Sequence, residues 1–358
     1  MKKYTFFAVA LATLAFVGCN KKDNNLVPDA NGKVTIMLSG EKYTSQDKQA
    51  FSGARDQIYF TNTDFMYVNG GACQVTCIPN GLGTSSTESN LGSVAIPAEL
   101  IYNPLYALYP ADAFTPGNAA DYSDWLVEMK DEVVLIPADA ELGIQTPMGS
   151  THQTWPLTAY VPDVTLNNNV YLKNNVALMT PSVKYGFNFV DEFTRTKVTG
   201  ETFDGTDYPV LKVEKIILSS DNTKLTGYGH IADLNTEEPY LVMNGAAPTE
   251  ADPDVLTCWV VDPVTVPGGL EVQPTGNFAT MLGHAPIAPV VEGNANIHVA
   301  LYFTLTYPAT NHTYECVYEG NGVFNNTNVI RSERTTLSCD LFSVTGVSKV
   351  TSVVMQQE

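Results

Sequence analysis

The chain is short of charge, and of positive charge above all. Of its 358 residues only 16% are charged, and 38 acidic residues face 19 basic ones for a formal net charge of −19. A surface of that sign repels a phosphate backbone, so nucleic acid is excluded as a partner. The sequence has no phosphate-cradling Gly-x-x-x-x-Gly-Lys-Ser/Thr, no Gly-x-Ser-x-Gly elbow and no His-Glu-x-x-His, so three common routes to catalysis lack their sequence support. Helical periodicity is nearly absent as well, with Ala119–Met129 the one short candidate.

Histidine and tryptophan are scarce. The five histidines, His152, His230, His284, His298 and His312, are scattered singly, and His230 and His298 fall within strand patterns, where satisfied structural side chains are expected. Glu250, Asp252 and Asp254 alternate in one loop but lack the glycine and the distant glutamate of an EF-hand, so a solvated acidic loop is expected and not a cation site. Asp121 and Asp124 beside Trp125 form a pattern that could bind sugar by stacking and hydrogen bonds, although Trp125, Trp155 and Trp259 read first as packing residues. No catalytic residue, metal or cofactor is assigned, and the chain is not expected to be an enzyme.

Cysteine is present in an unhelpful number. Of six, Cys19 belongs to an export segment, which leaves five and at least one thiol without an intramolecular partner. Cys73 and Cys77 would share one strand face about 13 Å apart, at about 3.3 Å per residue, too far to pair and not spaced as a zinc site. They read as buried small hydrophobes. Among Cys258, Cys316 and Cys339 one bridge stays open, and sequence does not choose the pair.

The export segment is explicit. Met1-Lys2-Lys3, an apolar run from Phe6 to Val17 and the box Phe16-Val17-Gly18-Cys19 have the form of a bacterial lipoprotein signal, 1–18, with lipidation at Cys19. The run is about half of the ~20 residues a spanning helix needs. Residues 19–32 lack apolar periodicity and read as a flexible spacer.

Beyond it, 44% apolar residues with abundant turn formers fit short strands. Val34, Ile36 and Leu38 alternate as a first strand with one buried face, and the polar stretch Lys42–Lys48 reads as an exposed loop. Asn69-Gly70-Gly71 between apolar alternations signals a hairpin. Further strands are expected through to Lys349–Met355, among them Val183–Val190. The pattern restarts after the Asn-rich stretch at 167–175, so two β-sandwich domains are expected, 33–172 and 173–358.

Several segments, in order, resemble the fimbrillin family, the FimA/Mfa-like pilin lipoproteins of the Bacteroidales. They are the lipobox, Lys33–Leu38 with its basic loop, Asp56–Phe60, Tyr67–Gly70, Leu105-Tyr106-Ala107-Leu108-Tyr109-Pro110-Ala111, Pro147-Met148, and Val213–Leu218 followed by Leu225–Gly227. The resemblance implies an all-β chain of two transthyretin-like Greek-key β-sandwich domains in tandem, acting as a fimbrial structural subunit or adhesin. It implies a lipidated precursor exported through the periplasm to the outer membrane surface, and a trypsin-like maturation protease cutting after Lys42, Lys48 or Arg55. It further implies loss of the first strand, with Val34, Ile36 and Leu38 as its plug, and entry of a strand from another fimbrial subunit. A sandwich edge stripped of that strand would expose unpaired backbone and apolar surface. The donor implied is the C-terminal segment with Val350, Ser352, Val353, Val354 and Met355; Val350, Ser352 and Val354 would face one way, Thr351, Val353 and Met355 the other. Read from its residues alone, that segment is equally the last strand of the second domain. Partners would be related subunits and a host or bacterial surface ligand. A surface glycan-binding lipoprotein is the alternative, and an exported hydrolase a third reading.

Overall fold

The computed structural model describes residues 26–45, 58–79, 88–114, 126–128, 132–135, 156–165, 169–220, 228–240, 256–261, 266–274, 279–290, 293–325, 327 and 329–356. Cys19, Lys48, Arg55, Trp125, Trp155, His152, Asp121, Asp124 and the Glu250–Asp254 loop lie outside them.

Alternating apolar residues build the first core. Strands β1 (Lys33–Gly40), β2 (Phe65–Val68), β3 (Gly71–Cys77), β4 (Leu91–Pro97), β5 (Leu105–Tyr109), β6 (Leu157–Val161) and β7 (Asn169–Asn174) pair in the order β1-β7-β6-β5-β2-β3-β4 and back to β1. The sheet is a closed barrel, where two open sheets were expected. Within it β2, β3 and β4 run in sequence and β5 returns beside β2, a Greek-key order. The β2–β3 hairpin turns at Asn69 and Gly70, both at positive φ (45° and 85°), the conformation an Asn-Gly pair adopts at least cost. Asn69 also fastens the turn, its Nδ2 donating to the Leu100 carbonyl at 2.8 Å and its Oδ1 accepting from the Tyr106 N–H at 2.8 Å.

The second core lies between two sheets. Its strands are β8 (Ala177–Tyr185), β9 (Val210–Ser220), β10 (Leu256–Val261), β11 (Leu270–Val272), β12 (Asn294–Thr306), β13 (Thr313–Asn325), β14 (Glu333–Leu341) and β15 (Val350–Met355). One sheet runs β10-β9-β12-β13-β15, with β11 also on β9; the other centres on the parallel pair β8 and β14. Trp259 and Phe303 from the first sheet and Val183 and Cys339 from the second meet in one buried cluster. Three short strands from the first half join partners in the second: Thr44–Ser45 on β14, Glu132–Leu135 on β10, and Leu126–Glu128 on Tyr228–His230. The class is all-β.

Two expectations about helices are corrected. Leu126–Glu128, inside the one helical candidate, is a strand. The strand expected at Val183–Val190 ends at Tyr185, and Phe187–Thr196 forms helix α1. Val183, Tyr185, Phe187 and Phe189 alternate by chance across Gly186, which hides the buried helical face of Phe189, Val190, Phe193 and Thr194. A shorter helix α2 (Val344–Ser348) precedes β15. The open cysteine bridge is also settled, since Cys316 and Cys339 are buried thiols with no disulfide, both pushed up to about 12 by burial.

Phe193 is fully buried and packs on Phe189. Phe193→Ala is expected to cost about 3–5 kcal/mol, measured as a lower urea midpoint at unchanged slope. A loss under about 1 kcal/mol would remove α1 from the account of this core.

Candidate functional site

β1 completes the barrel. It pairs antiparallel with β4 from Lys33 to Ser39 and parallel with β7 from Met37 to Gly40. Lys33–Ile36 therefore has a strand on one side only, and Val27–Gly32 ahead of it is exposed. Val34, Ile36 and Leu38 are 3%, 0% and 1% exposed and reach the same cluster as Val75, Ile96 and Leu172. Burying three aliphatic side chains to this degree is worth about 5–9 kcal/mol at ~1.5–3 each, before the ladder hydrogen bonds are counted. β1 is thus a stave of a closed barrel and not a strand on a sandwich edge, and its removal would leave a slot with two open backbone edges, β4 and β7.

The residues just after β1 are pinned where the barrel meets the double sheet. Glu41 Oε2 accepts from the Arg331 guanidinium at 2.8 Å, the Ser332 hydroxyl at 2.7 Å and the Asn174 N–H at 3.0 Å, while Oε1 meets Lys173 Nζ at 3.2 Å. Arg331 also donates to the Asn174 carbonyl at 2.9 Å and lies 3.8 Å from the Tyr240 ring centre. Burial opposes ionisation of Glu41, but the Ser332 hydroxyl, the Arg331 charge, the Asn174 N–H and the Lys173 charge outweigh it and hold its carboxyl below the usual carboxylate range. The Glu41 N–H donates to the Leu172 carbonyl at 2.8 Å and the Thr44 N–H to the Ser332 carbonyl at 3.0 Å. Tyr43 is buried among Leu108, Phe114, Val176 and Leu178, and burial pushes its phenol up.

Lys42 is exposed between these anchors. The expected loop Lys42–Lys48 therefore begins as fixed chain, with Thr44 and Ser45 paired to β14. Sequence reasoning missed the Glu41 cradle because its members lie 132 to 291 residues from Glu41 or its neighbours in the chain. No local pattern marks them.

β15 is the outer strand of its sheet, paired with β13 alone. The simple alternation expected for it is broken: the register skips Thr351 opposite Val317 and Tyr318, so Val350 is buried and Val353 packs on the core, while Ser352, Val354 and Met355 are exposed. Val354 and Met355 are 56% and 49% exposed, an apolar end on a strand with one free side.

Among the described residues, His284, His298 and His312 have separate partners. His284 is buried against the Thr180 hydroxyl at 2.7 Å and is pushed down to about 3, by burial first and the Arg334 charge second, so it is neutral at pH 7. His298 meets Asn321, and His312 meets Glu201 together with Thr310 and Tyr314. Trp259 lies in the core and offers no stacking surface. Among the described residues no three His, Cys, Asp or Glu side chains gather as a metal set.

No family model and no curated protein matches the chain. Solved structures similar to it include a putative cell adhesion protein from Bacteroides ovatus, 10% identical over 91% of this chain and 96% of that one, at TM-score 0.39. Another is a putative cell adhesion protein from Bacteroides eggerthii, 12% identical over 93% and 97%, at TM-score 0.35. A third is a fimbrial protein from Bacteroides ovatus, 10% identical over 85% of this chain and 48% of that one, at TM-score 0.27.

Glu41→Gln keeps the shape of the cradle's occupant and removes its charge. The substitution is expected to cost about 1–3 kcal/mol at pH 7. A carboxyl held low in the folded state stabilises fully above its unfolded pKa and loses that contribution as pH falls through its folded value. The gap between wild type and variant in urea melts should therefore be widest at neutral pH and shrink below about pH 4; a gap that does not change with pH would sink the electrostatic account.

Proposed function

We propose that the chain is a fimbrial structural subunit or adhesin, exported as a precursor lipidated at Cys19 and assembled on the outer membrane surface by protease-triggered strand exchange. One observation carries the proposal. The earliest strand in the described chain is a stave whose three inward side chains complete a closed core, so cutting the chain behind it turns a finished barrel into a slot shaped for one extended strand. A trypsin-like protease would cut after Lys42, Lys48 or Arg55. Of these, Lys42 is flanked by Glu41 and Tyr43, both anchored, and a protease needs several residues free of such contacts, which favours the later two. The incoming strand would be residues 350–355 of a second copy or of a related subunit. On this reading the barrel and the double sheet are variants of a tandem transthyretin-like Greek-key arrangement.

A surface glycan-binding lipoprotein is the competing role. The residues that suggested it, Asp121, Asp124, Trp125 and Trp155, lie outside the described residues, and Trp259 is buried.

The test is limited trypsin digestion of the intact protein, with the new N-terminus sequenced and the products followed by size-exclusion chromatography and electron microscopy. Cleavage between Lys42 and Ile58 should yield polymers, and removing residues 350–358 should stop growth without preventing cleavage. A cleaved chain that has lost Lys33–Gly40 and stays monomeric would rule out assembly by exchange.

A further inference from the structure

Every candidate cut lies behind Glu41, so whatever releases β1 carries Glu41 away with it. What stays is a carboxylate receptor: Lys173 Nζ, the Arg331 guanidinium, the Ser332 hydroxyl and the Asn174 N–H, converging within 3.2 Å of the two oxygens they held. Two cations fixed beside each other in a half-buried seam repel once their shared anion is gone. They call for a new one.

We propose that this cradle is a subunit-docking site that takes Glu41 of the chain's own first strand before cleavage and Glu358 of a second copy afterwards. The inference rests on the strand-exchange reading above. Its basis is spacing. Along β1 the inward residues Val34, Ile36 and Leu38 are followed three positions after Leu38 by Glu41. In the C-terminal segment Thr351, Val353 and Met355 repeat the two-residue step, and Glu358 follows three positions after Met355. A strand entering in the direction of β1 with that face inward puts Val353 where Ile36 was, Met355 where Leu38 was, and Glu358 at the cradle.

The opposite face fits worse on two counts. It would place Ser352 at the position of Ile36, which is 0% exposed, burying a hydroxyl at mid-barrel, and it would offer the neutral Gln357 to the cradle. On the accepted face the polar member is Thr351, close to valine in shape, at the end of the slot where Val34 sat. For a strand entering in the direction of β1, charge and side-chain pattern thus select the same face. The cradle also lies at the far end of the slot from Val34, so a strand bound one register out would fill the barrel but miss the ion pair; the cradle would set the register of assembly.

The test uses the full chain cut by trypsin between Lys42 and Ile58, titrated with fluorescent peptides of residues 350–358. The peptides carry a C-terminal amide, so that Glu358 is their one carboxylate. Affinity is read by anisotropy, and loss of the cleaved N-terminal fragment that carries β1 and Glu41 by mass spectrometry. The wild-type peptide should bind and displace the fragment, Glu358→Gln should bind about tenfold more weakly, and the difference should shrink to about twofold or less on Arg331→Ala protein. Lys173→Met protein should narrow it as well, a second route should Arg331→Ala fail to fold. Equal affinity of the two peptides, or a tenfold gap that survives both cradle variants, would overturn the role of the cradle while leaving strand exchange intact. Binding of neither peptide, or binding without displacement, would overturn strand exchange and this inference together.

Discussion

A seven-stranded barrel closes only if every gap between its staves is filled, and here one gap is filled by the first strand of the described chain. That single constraint organises the molecule. A closed sheet has no edge on which foreign strands can add, whereas the same sheet lacking β1 has two edges facing each other across a strand's width, above a core that has lost Val34, Ile36 and Leu38. On the reading proposed above, stability and competence for association are opposite states of one structure, separated by the continuity of the chain between Glu41 and Ile58.

The polar junction at Glu41 and the apolar face of β1 do different work. Three buried aliphatic side chains and the flanking ladders supply the bulk of the holding energy, without direction or register. The cradle contributes less, yet its donors sit at fixed positions on β7 and on the chain leading into β14, so it admits a carboxylate in one place. Because Arg331 and Ser332 belong to the double sheet and Lys173 and Asn174 to the barrel, the same carboxylate also ties the two cores together. Tyr43 adds an apolar tie beside it. Loss of the first strand therefore loosens the seam as well as opening the slot.

What was legible in the sequence follows the range of the interactions. The alternation of Val34, Ile36 and Leu38 and the Asn69-Gly70 turn are local or period-two signals, and they stand in the structure as read. Helix α1 was hidden because an accidental alternation crosses Gly186, and two-residue periodicity outvotes a ten-residue helical face in a chain so poor in helices. Barrel closure was illegible because it depends on the parallel pairing of β1 with β7, elements more than 130 residues apart, where the antiparallel edge was the simpler expectation. The cradle was illegible for the same reason. Its residues Lys173, Asn174, Arg331 and Ser332 carry no pattern of their own and acquire meaning only when Glu41 is brought to them. The bulge at Thr351 belongs with these, since alternation along β15 says nothing about how its partner β13 is spaced.

The two ends of the described chain differ in a way that would give the proposed strand exchange its direction. β15 is held from one side, through five paired positions on β13 interrupted by a bulge, and it leaves Val354 and Met355 in water. β1 is held from two sides, through seven positions on β4 and four on β7, with all of its apolar face buried. A segment moving from the first kind of site to the second gains a second ladder and buries apolar surface that was wet. On the proposed exchange, these gains would offset the loss of the donor's place on β13. Before cleavage the slot is full, and the same gradient has nowhere to act.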